Sequence, residues 1–379
     1  MLWAIQRKVV LFLLLVLVVC CVPVYAAAAP ENETRPVVSA TAAVLMDADT
    51  GVVLYEKRAM VRAEPASLTK IMTALIVLEH GHLDDVVTIS KRAAAVSMGQ
   101  DIGLNPGDKI TLGNLLKAAL LYSANDSTVA MAEHVAGSVE QFVQLMNMRV
   151  LVLGAKNTHF ANTNGYHHPD HYTTAYDLAL ITRYALRNET FARLVSTPAD
   201  AVEWQDGRQM DVRNTNRLVR FNSYAGICGV KTGSTPRAGD CLVAAARRGD
   251  KTLIAVVLNS KNRYQDAVRL LDYGFSNMIL HTLCLAGESI AHQQVKNGVA
   301  NQVVLVAAET RQVHLIAGQG QQVKREIVLF SPPEAPVRAG QVLGRVVYHM
   351  QGRELARVDL LAAAGVPAPG LFFRLKNLF

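Results

Sequence analysis

Glu64-Pro65-Ala66-Ser67-Leu68-Thr69-Lys70-Ile71-Met72-Thr73-Ala74-Leu75 is the stretch on which the fold turns. Pro65 disfavours helix at Glu64, and an apolar run of good helix formers follows. Ser67 is therefore predicted near the first turn of a helix running to His80. Lys70 lies three residues on, so both side chains share one helix face. A hydroxyl beside an amine on a half-buried helix is a nucleophile beside its base, or two ordinary surface residues. The rest of the chain decides.

Outward from this helix, Val37 to Leu54 holds two strand-like runs around the turn Asp47-Ala48-Asp49-Thr50-Gly51. Helical periodicity recurs at Leu112–Leu121, Ser127–Ala136, Val139–Leu153 and Ala175–Leu186. Strand character returns from Gly229, with apolar runs Cys241–Ala246 and Leu253–Leu258, and Gln265 to Ile279 reads as a further helix. Strands from the two ends of this region have to share one sheet around a helical middle, an α+β arrangement. From about residue 283 short alternating runs separated by turns such as Pro332-Pro333 read as a small all-β, sandwich-like domain.

The 379 residues fit two domains, and 51% hydrophobic against 18% charged residues argues for a buried core and against disorder. Arg7-Lys8, the apolar run to Cys21 and Val24-Tyr25-Ala26 read as a secretory signal peptide over residues 1–26; the alternative is an uncleaved anchor, for which the run is short. Residues 27–36 read as a linker. The net charge of +7 loses Arg7 and Lys8 with the leader and becomes +5. With no dense basic run and no aromatic-basic interleaving, nucleic acid is not an expected partner, whereas an anionic membrane surface or wall polymer is.

The tail Gly370–Phe379 puts Leu371, Phe372, Leu375, Leu378 and Phe379 on one helical face, as in an interfacial amphipathic anchor; a frayed end docked on the protein is the plainer reading. Cys228, Cys241 and Cys284 remain after the leader. Cys228 and Cys241 flank an expected hairpin centred near Ser234, either as a disulfide or as two buried thiols. His167-His168-Pro169-Asp170-His171 invites a metal reading, but Pro169 breaks helical spacing and no second cluster supplies ligands. A solvated loop is expected there, with no metal and no cofactor.

Two further motifs give Ser67 and Lys70 their context. Ser123-Ala124-Asn125 opens a helix, and Lys231-Thr232-Gly233 starts a strand. The order Ser-x-x-Lys, Ser-x-Asn, Lys-Thr-Gly resembles the active-site serine penicillin-recognising enzymes. Each piece has a physical task. Lys70 serves as base only when neutral, which burial and the charge of Lys231 favour. Ser123 can relay a proton. Asn125 can hold the substrate backbone or orient Lys70. Lys231 and Thr232 can bind a carboxylate, and Gly233 leaves the strand edge open to substrate. The backbone N–H groups of Ser67 and Ser234 can form an oxyanion hole.

Residues 37–365 resemble the D-alanyl-D-alanine carboxypeptidases, the low-molecular-mass penicillin-binding proteins. The resemblance rests on Pro65–Lys70, on Asn162–Tyr166 with Tyr172–Ala179, and on Gly229–Thr235 with Ala238-Gly239. Cys228 departs from the acidic or small residue common before the glycine. The resemblance implies a β-lactamase/transpeptidase-like catalytic domain over 37–282, a C-terminal β-domain over 283–365 and a membrane-anchor tail over 366–379. It implies acylation of Ser67 by a peptidoglycan stem peptide ending in D-Ala-D-Ala, and by β-lactam antibiotics, outside the cytoplasm. Lys70 is then the base, Ser123 completes the catalytic set, and Asn125, Lys231, Thr232, Gly233, Ser234 and Arg263 bind substrate. A β-lactamase would need a carboxylate base for deacylation, and no Glu-x-x-x-Asn lies between Asn125 and Lys231. A transpeptidase or endopeptidase on the same scaffold stays open, and the intact motifs argue against a non-catalytic wall-binding protein.

Overall fold

The computed structural model describes residues 35–350 and 352–370. The expected leader, all of the linker but its last two residues, and residues 371–379 of the expected anchor 366–379 lie outside the described residues.

A five-stranded antiparallel sheet is the frame. Its order is Val53–Lys57, Ala42–Asp47, Lys251–Ser260, Gly239–Arg248 and Ile227–Thr235. The N-terminal hairpin thus pairs, through Ala42–Asp47, with the far later strand Lys251–Ser260, as the periodicities require. Side chains alternate along these strands. Val44, Met46, Ile254 and Val256 join the core shared with the helical middle. Leu45, Leu253, Ala255 and Val257 face Ala267, Leu270 and Leu271 of the helix Arg263–Asn277. Both faces are covered, so the strands read as apolar runs rather than as clean alternation.

The helical middle packs Lys70–His80, Asn125–Ala136, Val139–Leu153 and Ala175–Ala185 against the first face. Ile227–Thr235 is an edge strand, and the turn Ala66–Thr69 lies against it. The nucleophile helix therefore meets the Lys231 strand where the sheet edge is free to take a substrate.

Several expectations are corrected here. The helix expected over Gln265–Ile279 ends at Asn277, because Met278 turns extended and Met278–Cys284 pairs with Arg311–Ile316. Of the two alternatives left open for Cys228 and Cys241, the structure has free thiols, with Cys241 buried and Cys228 only partly so. The hairpin turns at Thr235–Gly239, so Cys241 pairs with Gly233 while Cys228 sits in a bulge opposite Ala245 and Ala246. The hairpin Ala199–Glu203 with Gln209–Arg213 and the strand Ser289–Gln294 were not legible from periodicity.

Beyond Cys284 a second five-stranded antiparallel sheet runs Ser289–Gln294, Gln302–Ala307, Arg353–Ala362, Val342–Met350, Lys324–Leu329. It closes over Leu305, Val346, Val358 and Leu360. Arg353 stacks on Tyr176 at 3.7 Å, which ties the last hairpin to the helix Ala175–Ala185. No helix among the described residues is long and apolar enough to cross a membrane.

Candidate active site

Ser67 sits on a single 3-10 turn, Ala66–Thr69, which runs into the helix Lys70–His80. Ala66 has φ +48°, a left-handed conformation that a residue with a Cβ adopts only when its surroundings impose it. Two glycines make room for this turn. A Cβ on Gly165 would lie 1.8 Å from the Ala66 carbonyl oxygen, and one on Gly233 would lie 3.0 Å from Pro65 O and 3.1 Å from Ser67 N. Gly233 is therefore needed for the close passage of the strand as well as for substrate access.

Lys70 is fully buried. Its Nζ lies 2.7 Å from Asn125 Oδ1, 3.0 Å from Asn164 O and 3.0 Å from Ser67 Oγ. Burial first, and the charge of Lys231 second, hold the amine far below the usual lysine range, with Asp126 pulling the other way. A neutral amine has two hydrogens and one lone pair. In that neutral form, with the two carbonyl oxygens accepting the hydrogens, the lone pair is left for the Ser67 hydroxyl. Asn125 also donates from Nδ2 to Met98 O at 2.7 Å and to Tyr166 Oη at 3.1 Å. Both Nδ2 hydrogens are committed and Oδ1 accepts from Lys70, a geometry that fits orientation of Lys70.

Lys231 is likewise buried, and burial followed by the charge of Arg263 pushes it down to about 7. Its Nζ lies 3.2 Å from Thr232 O and 3.5 Å from Thr215 Oγ1, and Thr232 Oγ1 is bonded to Thr215 Oγ1 at 2.8 Å. Arg263 opens the helix packed under the sheet. Its Nη1 donates to Ser234 Oγ at 2.6 Å and Gly233 O at 3.1 Å, with Asp240 at 3.4 Å. Ser123, φ +74°, ends the turn before the helix Asn125–Ala136 and lines the cleft. Ser67, Ser123, Asn125, Thr232, Gly233, Ser234 and Arg263 thus line one cleft of about 480 Å³, with the two lysines buried beneath.

The cleft also holds residues that sequence reasoning missed: Gly99, Gln100, Asn164, Tyr166, Thr215, Arg217, Arg220 and Tyr264. The Asn- and Gly-rich Asn162–Tyr166, an irregular polar run between two helices, was the available signal for two of them. Nothing local marked Thr215. Buried Asp126 accepts the N–H groups of Ile102 and Leu104, and Asn125 N–H bonds Gln100 O, which fixes the loop carrying Gly99 and Gln100. The histidine run is a loop, but it is solvated only in part. His167 and His168 are accessible, but His171 is 2% exposed, because it lies under the nucleophile turn and is bonded to Thr69. No group of three metal-ligating side chains occurs among the described residues.

A serine on a helix turn, two buried lysines and a free antiparallel edge strand define the penicillin-binding-protein class of active-site serine fold. Residues 29–262 match the D-alanyl-D-alanine carboxypeptidase family, and residues 280–368 match the C-terminal domain of penicillin-binding protein 5. The chain belongs to the D-alanyl-D-alanine carboxypeptidase family. It is 36% identical to D-alanyl-D-alanine carboxypeptidase DacF of Bacillus subtilis, over 89% of this chain and 88% of that one. It is 34% identical to DacC of Escherichia coli, over 92% and 90% of the two chains. Penicillin-binding protein 5 of Haemophilus influenzae superposes with a TM-score of 0.70 at 32% identity, covering 88% of this chain and 99% of that one. The activity is that of a serine-type D-Ala-D-Ala carboxypeptidase, which β-lactams acylate.

Proposed function

We propose that Ser67 is the residue acylated and Lys70 its base. The observation that carries this assignment is the Lys70 amine, held by two carbonyl oxygens with its third position 3.0 Å from Ser67 Oγ. Ser67 attacks the carbonyl of the penultimate D-Ala as its proton passes to Lys70. The N–H groups of Ser67 and Ser234 receive the oxyanion. Thr232, Ser234 and Arg263, over the charge of Lys231, take the terminal carboxylate. Ser123 carries a proton to the leaving amine, D-Ala departs, and water releases the shortened stem peptide from Ser67. In a β-lactam the same attack opens the ring, and the amine stays tethered.

The catalytic domain is assigned to 37–282 and the β-domain to 283–365. The leader at 1–26 directs export, and the tail holds the enzyme on the outer face of the cytoplasmic membrane, where the wall peptide lies; the expected start of that tail at 366 moves to about 370, because Val366 is buried in the β-domain core and pairs with Val337. The test of the site is Ser67→Ala. It should abolish D-alanine release from a D-Ala-D-Ala stem peptide and labelling by fluorescent penicillin, a loss of at least about a thousandfold. Retained labelling would move the nucleophile elsewhere. Deleting 370–379 should shift the protein to the soluble fraction, and unchanged membrane retention would refute the anchor.

A further inference from the structure

His171 is buried directly beneath the turn that carries Ser67, and its hydrogen bonds have a fixed direction. Nδ1 accepts the N–H of Ala161 at 3.0 Å, so that nitrogen holds the lone pair. The proton is therefore on Nε2, which donates to Thr69 Oγ1 at 2.8 Å. Thr69 has one hydroxyl hydrogen, and it goes to the carbonyl oxygen of Ala66 at 2.8 Å. Every proton of the chain Ala161, His171, Thr69, Ala66 is committed, and each bond polarises the next. The Phe160 ring stands edge-on to the imidazole with centroids 5.6 Å apart, which fixes its plane.

The end of this chain matters. The Ala66 carbonyl and the Ser67 N–H belong to one peptide unit, which is planar. Whatever holds that carbonyl also aims that N–H. Ala66 is left-handed at φ +48°, so the plane is not one the backbone would keep unaided. Gly165 packs against the carbonyl from one side, and Gly233 passes close to Ser67 N from the other.

We propose that His171, acting through Thr69, is a positioning residue for the oxyanion hole, locking the Ala66–Ser67 peptide so that the Ser67 N–H faces the developing oxyanion. This rests on the assignment of Ser67 N–H as an oxyanion donor. His171 touches neither substrate nor Ser67 Oγ. Its effect belongs to the transition state and not to ground-state binding.

The experiment measures the acylation rate constant and the binding constant for a chromogenic β-lactam, and kcat and KM for D-Ala release, in four variants. Thr69→Val and His171→Leu each break the relay and should lower the acylation rate constant and kcat about tenfold to a hundredfold with binding and KM unchanged. The double variant should lose no more than either single one, because both cut one chain. His171→Gln, whose amide can accept from Ala161 and donate to Thr69, should recover most of the rate. If His171→Leu does not fold, Thr69→Val reads the same link. Wild-type rates in folded Thr69→Val, losses confined to KM or binding, additive losses in the double variant, or His171→Gln as slow as His171→Leu would each overturn the proposal. Failure of the wild-type protein to release D-alanine or to be labelled at Ser67 would instead overturn the functional assignment.

Discussion

The seam around Ser67 and the C-terminal β-domain are built on opposite terms. Among the described residues, the buried polar and charged residues fall at or before Asn277, with Gln293 the exception. In the seam they satisfy one another: Lys70 with Asn125 and Asn164, Thr73 with Thr163, Thr69 with His171. The C-terminal core is Leu305, Val346, Val358 and Leu360, and there the Oε1 of Gln293 has no partner. Apolar packing yields stability without chemistry. Buried polarity is costly unless every group is paired, and once paired it shifts acidities and fixes directions. Stability and reactivity should therefore separate by region.

The largest effect that tests this separation is Lys70→Met. The substitution keeps the length and removes the base, so acylation by penicillin should fall about a thousandfold while the chain still folds. A loss below about tenfold would mean that Lys70 only fills the seam. The mirror experiment is Leu360→Ala, fully buried in the C-terminal core. It should cost about 3 kcal/mol of stability in urea unfolding and leave the acylation rate of the folded enzyme unchanged. A slowed acylation would show that the two regions are mechanically coupled, with the Arg353–Tyr176 stack as the first suspect.

What was legible in the sequence follows the same division. The Ser67 helix, Val139–Leu153 and the strands after Gly229 could be read because their apolar periodicity is long and their ends are marked. The site could be read as three short motifs because acylation needs a nucleophile, a base and a carboxylate grip. The relations between those residues could not. That Asn125 ties Lys70 to Met98 and Tyr166 is a property of packing, since Met98 and Tyr166 lie on separate loops. His171 looked like one more histidine of a solvated run, because burial is decided by the turn it lies under. The hairpin Ala199–Glu203 with Gln209–Arg213 buries only Val202 and Val212, so it lacks the apolar alternation that would have marked it.

The seam should also be the more acid-sensitive region. Burial first, then the nearby His159, His168 and His167, lower His171 from 6.5 to about 4. The unfolded chain therefore takes up a proton on this residue before the folded one does. Its contribution is fully present above about pH 6.5 and drains as the pH falls toward 4. Between pH 7 and pH 5 the wild-type protein should lose about 2 kcal/mol more unfolding free energy than His171→Gln, which has nothing to titrate there. Equal slopes for the two proteins would place the acid sensitivity elsewhere.

The smallest effect concerns the rim of the cleft. Its lining includes three arginines and no carboxylate. Arg263 is engaged with Ser234 and Asp240, whereas Arg217 and Arg220 have no ion-pair partner among the described residues. They lie three residues apart on the short helix Arg217–Arg220, whose Leu218 and Val219 are buried, so both guanidiniums stay on the open side. Arg217 stands 5.8 Å from the Tyr264 ring, a contact that orients it without neutralising it. Fully hydrated cations of this kind add little to the affinity of the final complex. They raise the local concentration of an anionic substrate and speed its entry. Arg217→Gln with Arg220→Gln should therefore lower kcat/KM for a stem peptide only about threefold at low salt, with kcat unchanged. The difference from wild type should vanish near 0.5 M salt, where the screening length is only about 4 Å. A loss that survives high salt, or one seen in kcat, would mean that these arginines touch the reacting substrate and that the polar seam extends further along the cleft than its buried members do.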